Sequence, residues 1–320
     1  VVNFAHAAGS DPISTVGSST VYPFATVAAE RFGKLTKFQT PVIESTGTGG
    51  GMKLFCNGVG YQHPDITNAS RPIKKSEKEK CKANGVTPVE MKVGYDGIVL
   101  ANSKKGAKLS VTRDQLYRAT AKEVWDGSKF ILNPYKKWSD IDSSLPDLAI
   151  EVMGPPPTSG TRDAYVELVQ HKACKKLGIK KKGDDGYKAR CSAVREDGRY
   201  IEGGENDNLI IQKLVGEPRR YGIFGFSFLD NNLDTIQGTS IDGTKPTFEG
   251  IASGEYPVSR SLFFYVKKEH IGTTPGLSEY VKFFASKSMI GENGATVEKG
   301  LIPLQKIEYD ALIKKINDEL

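Results

Sequence analysis

One local pattern occurs three times in this chain: a short β-prone run, a loop of hydroxyl and glycine residues, and a run whose apolar side chains keep helical spacing. The three copies are 13-ISTVGSSTVYPFATVAAERFGK-34, 38-FQTPVIESTGTGGGMKLFCNG-58 and 148-LAIEVMGPPPTSGTRDAYVELVQHKACKKLG-178. In the second copy the loop is 46-TGTGGG-51, and the helix that follows is short and ends at Asn57-Gly58. Repeated strand, loop and helix segments predict an α/β fold.

The three loops share a chemistry that suits an anion. The first N–H groups of a helix have no partner inside the helix, and the aligned peptide dipoles leave partial positive charge there. Serine, threonine and glycine at this position either cap the helix or present donors to an anion. For a single loop capping is the better explanation. Three such loops in one chain favour a site in which several helix N-termini surround a tetrahedral oxyanion.

Length and charge limit the classes of protein further. The chain has 320 residues, of which 38% are hydrophobic, so two domains are expected rather than one. The net charge of +6 is a mild excess that suits an anionic ligand. The densest lysine run, 172-KACKKLGIKKK-182, contains no aromatic residue that could stack on a base. We therefore expect a solvated surface there and no nucleic-acid partner.

The four cysteines indicate disulfides rather than a metal site. One close pair lies in the first third of the chain and another near its middle, and no CxxC motif occurs. We expect Cys56 to bond to Cys81 and Cys174 to bond to Cys191, which suits an oxidising compartment. Residues 5–7, Ala-His-Ala, resemble a signal-peptide cleavage site and predict export. No apolar run reaches the roughly 18 residues that would indicate a membrane span.

The sequence contains no recognisable catalytic or metal-binding motif. From Gly47, the residue in the position of the second P-loop glycine is Met52, so this loop is not a nucleotide-binding P-loop. Neither GxSxG nor HExxH occurs, and none of the four histidines is placed in the sequence to activate a serine. We expect no catalytic residue, no cofactor and no metal. Arg71 and Arg162 can supply the positive charge that an anion needs.

Eight segments, taken in order, resemble one known family. They are GSSTVYP, STGTGGGMK, DITNASRPIK, GYDGIVLANS, PTSGTRDAY, GENDNLIIQKLVGEP, YGIFGFSFL and 256-YPVSRSLFFYVKK-268. Together they are similar to the substrate-binding protein of the bacterial high-affinity phosphate ABC transporter, over nearly the whole chain. The resemblance implies a type II periplasmic-binding-protein fold, in which two α/β lobes joined by two hinge strands close over a dehydrated phosphate.

The resemblance also implies a domain layout and partners. Lobe I would comprise residues 1–98 and 259–320 and lobe II residues 99–258, with strand crossings near Gly97–Asn102 and Val258–Phe264. Each expected disulfide would then lie within one lobe and leave the hinge unconstrained. The protein would be a periplasmic monomer that does not span the membrane, binds inorganic phosphate in the cleft between the lobes, and delivers it to the membrane permease subunits of an ABC transporter.

The residues expected to contact phosphate carry hydroxyls, backbone N–H groups or positive charge in the matching segments. They are Ser19, Thr20, Val21, Thr48, Arg71, Ser159, Gly160, Thr161 and Arg162. Ser19 is included beside Thr20 because the first loop is one residue out of register with the best-known version of the family.

Two departures from the family pattern leave the selectivity open. Some members have an aspartate where this chain has Arg71, and use it to accept a proton from phosphate; they also have an arginine where this chain has Pro155. An arginine cannot accept a proton. A hydroxyl, a backbone carbonyl, or a carboxylate such as Asp96 or one in Asn206-Asp207-Asn208 would have to accept it instead. Alternatives are a binding protein for another oxyanion such as sulfate and, less favoured, a secreted phosphatase or a phosphate-linked adhesin.

Overall fold

The computed structural model describes residues 12–178, 186–204 and 206–320. These residues form two compact units, one made of the described residues up to Gly94 together with Ser261–Leu320, the other of Tyr95–Arg260. We call them unit 1 and unit 2. The chain passes between the units within two strands, Pro88–Ser103 and Ser259–Lys267. The predicted signal cleavage site at residues 5–7 and lysines 180–182 lie outside the described residues.

The first part of unit 1 alternates strands and helices. Its elements are β1 (Ser14–Gly17), α1 (Tyr22–Leu35), β2 (Val42–Ser45), α2 (Gly47–Phe55), β3 (Ile66–Ala69), α3 (Lys75–Ala83) and β4 (Pro88–Ser103), the last of which continues into unit 2. Strand β1 pairs in parallel with both β2 and β3. The carboxyl ends of these three strands therefore lie at one edge of the sheet, where the first two loops begin.

Unit 2 also mixes strands and helices. Its elements are β5 (Ser110–Val111), α4 (Arg113–Thr120), β6 (Glu123–Trp125), β7 (Phe130–Leu132), α5 (Trp138–Ile141), β8 (Val152–Gly154), α6 (Gly160–Tyr165), α7 (His171–Lys176), α8 (Tyr187–Ser192), β9 (Tyr200–Glu202), α9 (Asp207–Gly216), β10 (Tyr221–Gly225), α10 (Phe226–Asp230), β11 (Ile236–Gly238), β12 (Ser240–Ile241), α11 (Phe248–Ser253) and β13 (Ser259–Lys267), which returns to unit 1. Its main sheet has the order β4-β10-β8-β9, in which β8 is parallel to β9 and β10, and β10 is antiparallel to β4.

A π-helical turn, Val166–Gln170, joins α6 to α7. The backbone is therefore helical without a break from Gly160 to Lys176. This confirms the long helix expected after the third loop. The π turn itself was not predicted, because the sequence pattern of a helix does not distinguish one turn with a wider hydrogen-bond spacing.

Unit 1 is completed by the C-terminal part of the chain. After β13 come the 3-10 turn Lys268–His270, α12 (Leu277–Phe284), α13 (Lys287–Ile290), the 3-10 turn Val297–Lys299 and α14 (Lys306–Glu319). Strand β13 runs antiparallel to β3, with Phe263 opposite Ala69. The unit 1 sheet thus has the order β2-β1-β3-β13.

Both expected disulfides are confirmed. Cys56 is bonded to Cys81 in unit 1 and Cys174 to Cys191 in unit 2. The first lies in a buried apolar cluster with Met52. The second links α7 to α8 beside Tyr117. The first link joins the end of α2 to α3, so each disulfide lies within one unit.

One predicted boundary is wrong. The sequence 46-TGTGGG-51 was expected to be a loop before a helix, but α2 begins at Gly47 and ends at Phe55, before Asn57-Gly58. The helix includes Gly51 because it lies directly against the end of β1. A Cβ atom on Gly51 would stand 2.5 Å from Gly17 Cα and 2.6 Å from Thr67 Oγ1. The glycines therefore allow close approach of helix and sheet, which outweighs their low helix propensity.

Candidate functional site

In unit 1 the carboxyl ends of β1, β2 and β3 bring the first two loops together. Gly17 is opposite Ser45 on one side and Asn68 on the other. The Thr46 N–H donates to the Gly17 carbonyl at 2.9 Å, which fixes the start of α2 to the end of β1. The two loops that the sequence selected are thus neighbours at one sheet edge.

Thr48 is held at the end of β3. Its hydroxyl oxygen accepts a hydrogen bond from the Ser70 N–H at 3.1 Å and lies 3.1 Å from the Ser70 hydroxyl. Thr48 is the second residue of α2, whose N-terminus has no side-chain cap. The helix N-terminus and a pair of hydroxyls therefore lie together. Ser70 was not selected from the sequence, although it stands directly before Arg71 in a matching segment.

The first loop is short and mostly buried. Thr20 and Val21 are buried and Ser19 is half-buried. The Val21 N–H lies 3.4 Å from the Ser18 hydroxyl oxygen, and the Ser18 carbonyl accepts from the Tyr22 N–H at 3.0 Å. Ser18 therefore ties the loop to the first turn of α1, a role that the sequence analysis did not assign. A serine in the loop before a helix is a sequence signal for such a turn.

Arg71 lies at the same edge but is bound to a carboxylate. Its two terminal nitrogens donate to the two Glu77 oxygens at 2.8 and 2.7 Å, and one of them also donates to the Pro72 carbonyl at 3.1 Å. Burial would raise the pKa of the Glu77 carboxyl, but the Arg71 guanidinium and the Lys74 N–H hold that pKa below its ordinary value. The guanidinium fork of Arg71 is thus directed to Glu77 in this structure. Its predicted contact with an anion remains a prediction.

In unit 2 the third loop leaves the carboxyl end of β8 and starts a long helix. Ser159 precedes the helix, and its hydroxyl oxygen accepts from the Thr161 N–H at 3.2 Å. Accepting this bond leaves the hydroxyl hydrogen of Ser159 able to donate elsewhere. Gly160 and Thr161 are half-buried in the first turn. The capping role and an anion-binding role are therefore compatible at Ser159.

Arg162 folds back over the proline segment. One of its terminal nitrogens donates to the Pro155 carbonyl at 3.0 Å, and its guanidinium carbon lies 4.8 Å above the Tyr200 ring. The Tyr200 hydroxyl donates to the same carbonyl at 2.9 Å, and burial raises the pKa of Tyr200 to about 12. Arg162 thus brings positive charge next to residue 155, a position where the family resemblance led us to expect an arginine. Tyr200 was missed because it lies far from the loop in sequence.

The Asn206-Asp207-Asn208 triplet has structural roles. The Asn206 side chain accepts from the Asn208 N–H at 3.0 Å and caps α9. An Asp207 carboxylate oxygen accepts from the Gly225 N–H at 3.3 Å. These contacts agree with the helix-capping interpretation of the triplet.

A chain of charged side chains lies in the same unit. Arg260, on β13, is 9% exposed; its Nε lies 3.6 Å from Asp96 Oδ2, and its Nη1 lies 2.6 Å from Glu167 Oε2. Burial raises the pKa of the Asp96 carboxyl, and the Arg260 guanidinium offsets this only in part. Arg260 lies in the matching segment 256–268 but was not selected, because nothing in the sequence indicated its carboxylate partners.

Within residues 12–178, 186–204 and 206–320, no group of His, Cys, Asp and Glu is arranged to hold a metal ion. In the same ranges no helix is long and apolar enough to cross a membrane. His171 Nε2 does lie 2.7 Å from the Ser192 hydroxyl, a contact not expected from the sequence. That hydroxyl donates to the Lys188 carbonyl at 2.7 Å, so it serves the end of α8.

Known proteins are similar to this chain over most of its length. A family model described as a PBP superfamily domain matches residues 3–288. Protein SphX of Synechocystis sp. is 30% identical, covering 94% of this chain and 81% of that protein. The phosphate-binding protein PstS of Staphylococcus saprophyticus is 28% identical, covering 97% and 86%. A crystal structure described as "a possible phosphate binding protein" from Planctomyces limnophilus matches with a TM-score of 0.78 at 28% identity, covering 97% of this chain and 99% of that one.

Proposed function

The chain belongs to the PBP superfamily, and we propose that it is an extracytoplasmic receptor that binds inorganic phosphate with high affinity and delivers it to the permease of an ABC transporter. The family resemblance and the type II periplasmic-binding-protein fold that the sequence predicted are confirmed by the family match and by the structure from Planctomyces limnophilus. The names of the relatives from Staphylococcus saprophyticus and Planctomyces limnophilus support phosphate as the ligand.

The observation that carries the proposal is the arrangement at Ser159–Arg162. A helix N-terminus, a serine hydroxyl and an arginine are held together at the carboxyl end of β8, with Arg162 fixed by Pro155 and Tyr200. Backbone N–H groups at a helix N-terminus and an arginine are the donors that phosphate oxygens prefer. The hydroxyl groups around Thr48 and Thr20 in unit 1 are also hydrogen-bond donors that suit phosphate oxygens.

The proposed binding needs no covalent chemistry. A micromolar site requires about 8 kcal/mol of net binding free energy. Hydrogen bonds to a charged group contribute roughly 1.5–3 kcal/mol each, so four or five good ones suffice. The residues proposed to bind the anion are those expected from the sequence, namely Ser19, Thr20, Val21, Thr48, Arg71, Ser159, Gly160, Thr161 and Arg162. The lobe bounds expected from the sequence, residues 1–98 with 259–320 and residues 99–258, remain part of the proposal.

The cellular setting is part of the proposal. Two disulfides suit an oxidising compartment, which supports a location outside the cytoplasm in the periplasm. A substrate-binding protein of an ABC transporter has membrane permease subunits as partners and has no catalytic residue. We propose this role, with the protein acting as a monomer, rather than that of a secreted phosphatase.

Thermal unfolding with added anions tests the proposal. Phosphate bound only by the folded protein should raise the melting temperature in proportion to the logarithm of its concentration. Calorimetric titration should give a dissociation constant in the micromolar range or below. An unchanged melting temperature in millimolar phosphate would refute the proposal. Turnover of a chromogenic phosphoester that is lost in Thr161→Ala would favour the phosphatase instead.

A further inference from the structure

A cavity in unit 2 lies among residues that have no part in the proposed phosphate site. Its volume is about 320 Å³, and its lining includes Arg118, Trp125, Ile131, Tyr135 and Leu177, all of them in unit 2. Binding sites for small molecules have volumes from about 300 Å³ upward and are mostly apolar, with a few polar groups that fix the ligand. The cavity is therefore large enough for one small molecule and has a suitable lining.

The walls of this cavity are apolar side chains that the core leaves partly uncovered. Trp125, Tyr135 and Leu177 are each half-buried, and they pack against the buried apolar cluster around Tyr117. The Trp125 ring is held by an edge-to-face contact with Phe130, whose ring centre is 5.3 Å away. Aromatic and aliphatic side chains on a concave surface can pack around an apolar ring. The walls thus favour a ligand with a ring.

Arg118 brings positive charge to the cavity in a fixed orientation. It lies in the last turn of α4, where its Nε donates to Asp114 Oδ2 at 2.8 Å and its Nη1 donates to the Tyr135 hydroxyl at 2.9 Å. No described residue accepts a hydrogen bond from its Nη2. The two existing contacts hold the guanidinium in place, so an anion that accepts from Nη2 would not have to order this side chain.

The hairpin of β6 and β7 forms the rim and carries a carboxylate. Asp126 is the one acid among the described residues that line the cavity, and its side chain is exposed. Its Oδ1 accepts from the N–H groups of Lys129 and Ser128 at 2.8 Å each, and these bonds hold the pKa of the Asp126 carboxyl below its ordinary value. Solvent screens the charge of Asp126 at the rim. The charge that a ligand meets inside the cavity is therefore that of the half-buried Arg118.

We propose that this cavity is a second binding site, which takes a small aromatic carboxylate. The ring of the ligand packs between Trp125, Tyr135 and Leu177, and its carboxylate accepts hydrogen bonds from Arg118. An aliphatic acid would lose the contact between aromatic rings, and an aromatic alcohol would lose the charge-assisted hydrogen bond. The inference goes beyond phosphate binding, because in the described chain the cavity lining includes no residue proposed to bind phosphate.

The ligand-side experiment uses the wild-type protein and four probes of similar size. Calorimetric titration near neutral pH should give an affinity for phenylacetate roughly 10- to 100-fold higher than for 2-phenylethanol, the value of one hydrogen bond to a charged group. Cyclohexylacetate keeps the charge without an aromatic ring and should bind roughly 2- to 10-fold more weakly than phenylacetate. Phenethylamine should bind no better than the alcohol, because its charge has the same sign as that of Arg118. No binding of phenylacetate, or equal affinities for the acid and the alcohol, would overturn the inference.

Tryptophan fluorescence tests where the acid binds. The chain has two tryptophans, and Trp138 is fully buried, so a ligand in the cavity should change the emission of Trp125. In Trp125→Phe, phenylacetate should still bind by calorimetry but leave the emission unchanged. Saturating inorganic phosphate should not displace phenylacetate from the wild-type protein. Displacement by phosphate, or an emission change that persists in Trp125→Phe, would contradict binding in this cavity.

The protein-side experiment uses Arg118→Gln, which removes the charge from the cavity. The preference for phenylacetate over 2-phenylethanol should fall about tenfold or more, because the charge-assisted bond is lost. The affinity for the alcohol should stay that of the wild type, which shows that the cavity is intact in the variant. Arg113→Gln is the matched control, since Arg113 lies on the same helix but pairs with Asp242 outside the cavity lining. An unchanged preference in Arg118→Gln, or an equal fall in Arg113→Gln, would refute the assignment of Arg118.

Discussion

Arg162 shows how one side chain can serve both the fold and the ligand. It donates to the Pro155 carbonyl and stacks on Tyr200, and a guanidinium has further N–H groups for an anion. We predict that Arg162→Ala weakens phosphate binding by about 2–5 kcal/mol, the usual cost of removing one charge from a buried, hydrogen-bonded pair. Isothermal titration calorimetry with phosphate measures this directly.

Arg190→Ala is the matched control for this prediction. Arg190 also stacks on an aromatic ring, with its guanidinium carbon 5.5 Å above Phe130, and it also belongs to unit 2. Its removal should leave the phosphate affinity unchanged. If both variants bind as tightly as the wild-type protein, Arg162 is a purely structural residue.

Residue types were easier to predict than side-chain partners. Ser159 and Arg162 could be selected because hydroxyl, glycine and arginine residues are adjacent in one short segment. The bidentate contact of Arg71 with Glu77 was not foreseen, because a helix must first bring residue 77 back toward the end of β3. Tyr200, Arg260 and Asp96 meet their partners through strand pairing, which periodicity in one sequence does not reveal.

At the scale of elements, the contact between α2 and β1 depends on a glycine. A Cβ atom on Gly51 would meet Gly17 Cα at 2.5 Å, whereas one on Gly49 would meet nothing within 4 Å. We predict that Gly51→Ala lowers the free energy of unfolding by about 1–3 kcal/mol, the usual cost of overpacking, and weakens phosphate binding by shifting Thr48. Chemical denaturation and calorimetry measure the two effects.

Gly49→Ala provides the comparison. Both glycines belong to α2, so both substitutions gain helix propensity, by roughly 0.5–1 kcal/mol. Gly49→Ala should therefore be neutral or slightly stabilising, without effect on Thr48. Identical behaviour of the two variants would show that α2 does not depend on close approach at Gly51.

The disulfide between α7 and α8 is a second element-scale feature. Cys174 and Cys191 are 17 residues apart in sequence. A disulfide that closes a loop of this length stabilises the folded protein by about 3 kcal/mol, because it lowers the conformational entropy of the unfolded chain. The double variant Cys174→Ser with Cys191→Ser should lose about this much unfolding free energy. Urea denaturation under oxidising conditions measures the loss. The wild-type protein and the double variant should become similar in stability when reductant is added. A difference that persists would contradict a role for the covalent link.

Helices were predicted well where hydrophobic periodicity determines the secondary structure, and poorly where glycine residues determine it. Helix α1 forms where the first copy of the repeated pattern predicts a helix, because Phe24, Ala28 and Phe32 bury one face. Leu35 keeps the spacing of this face yet is 72% exposed, because it is the last residue of the helix. The sequence predicts a loop at the glycine-rich start of α2, since intrinsic propensity gives no sign of the sheet against which this segment lies.

For the molecule as a whole, stability should depend on pH through a buried lysine in unit 1. Lys267, at the end of β13, is fully buried; its Nζ donates to the Gly58 carbonyl at 2.7 Å and lies 5.0 Å from the Phe55 ring centre. Burial lowers the pKa of Lys267 to about 8, although Asp65 and Glu269 act in the opposite direction. In an unfolded chain the pKa of a lysine is about 10.4.

The difference between these two pKa values fixes the sign of the effect. Between about pH 8 and pH 10 the unfolded chain binds a proton at Lys267 that the folded chain has released. Raising the pH through this range therefore favours the folded state, and the free energy of unfolding should rise. Lys267→Met should remove this rise, as measured by urea denaturation at several pH values. Lys268→Met is the control, because Lys268 is at the surface beside Glu319, and it should keep the wild-type slope. A Lys267→Met profile as steep as that of the wild-type protein would mean that Lys267 is not the group responsible.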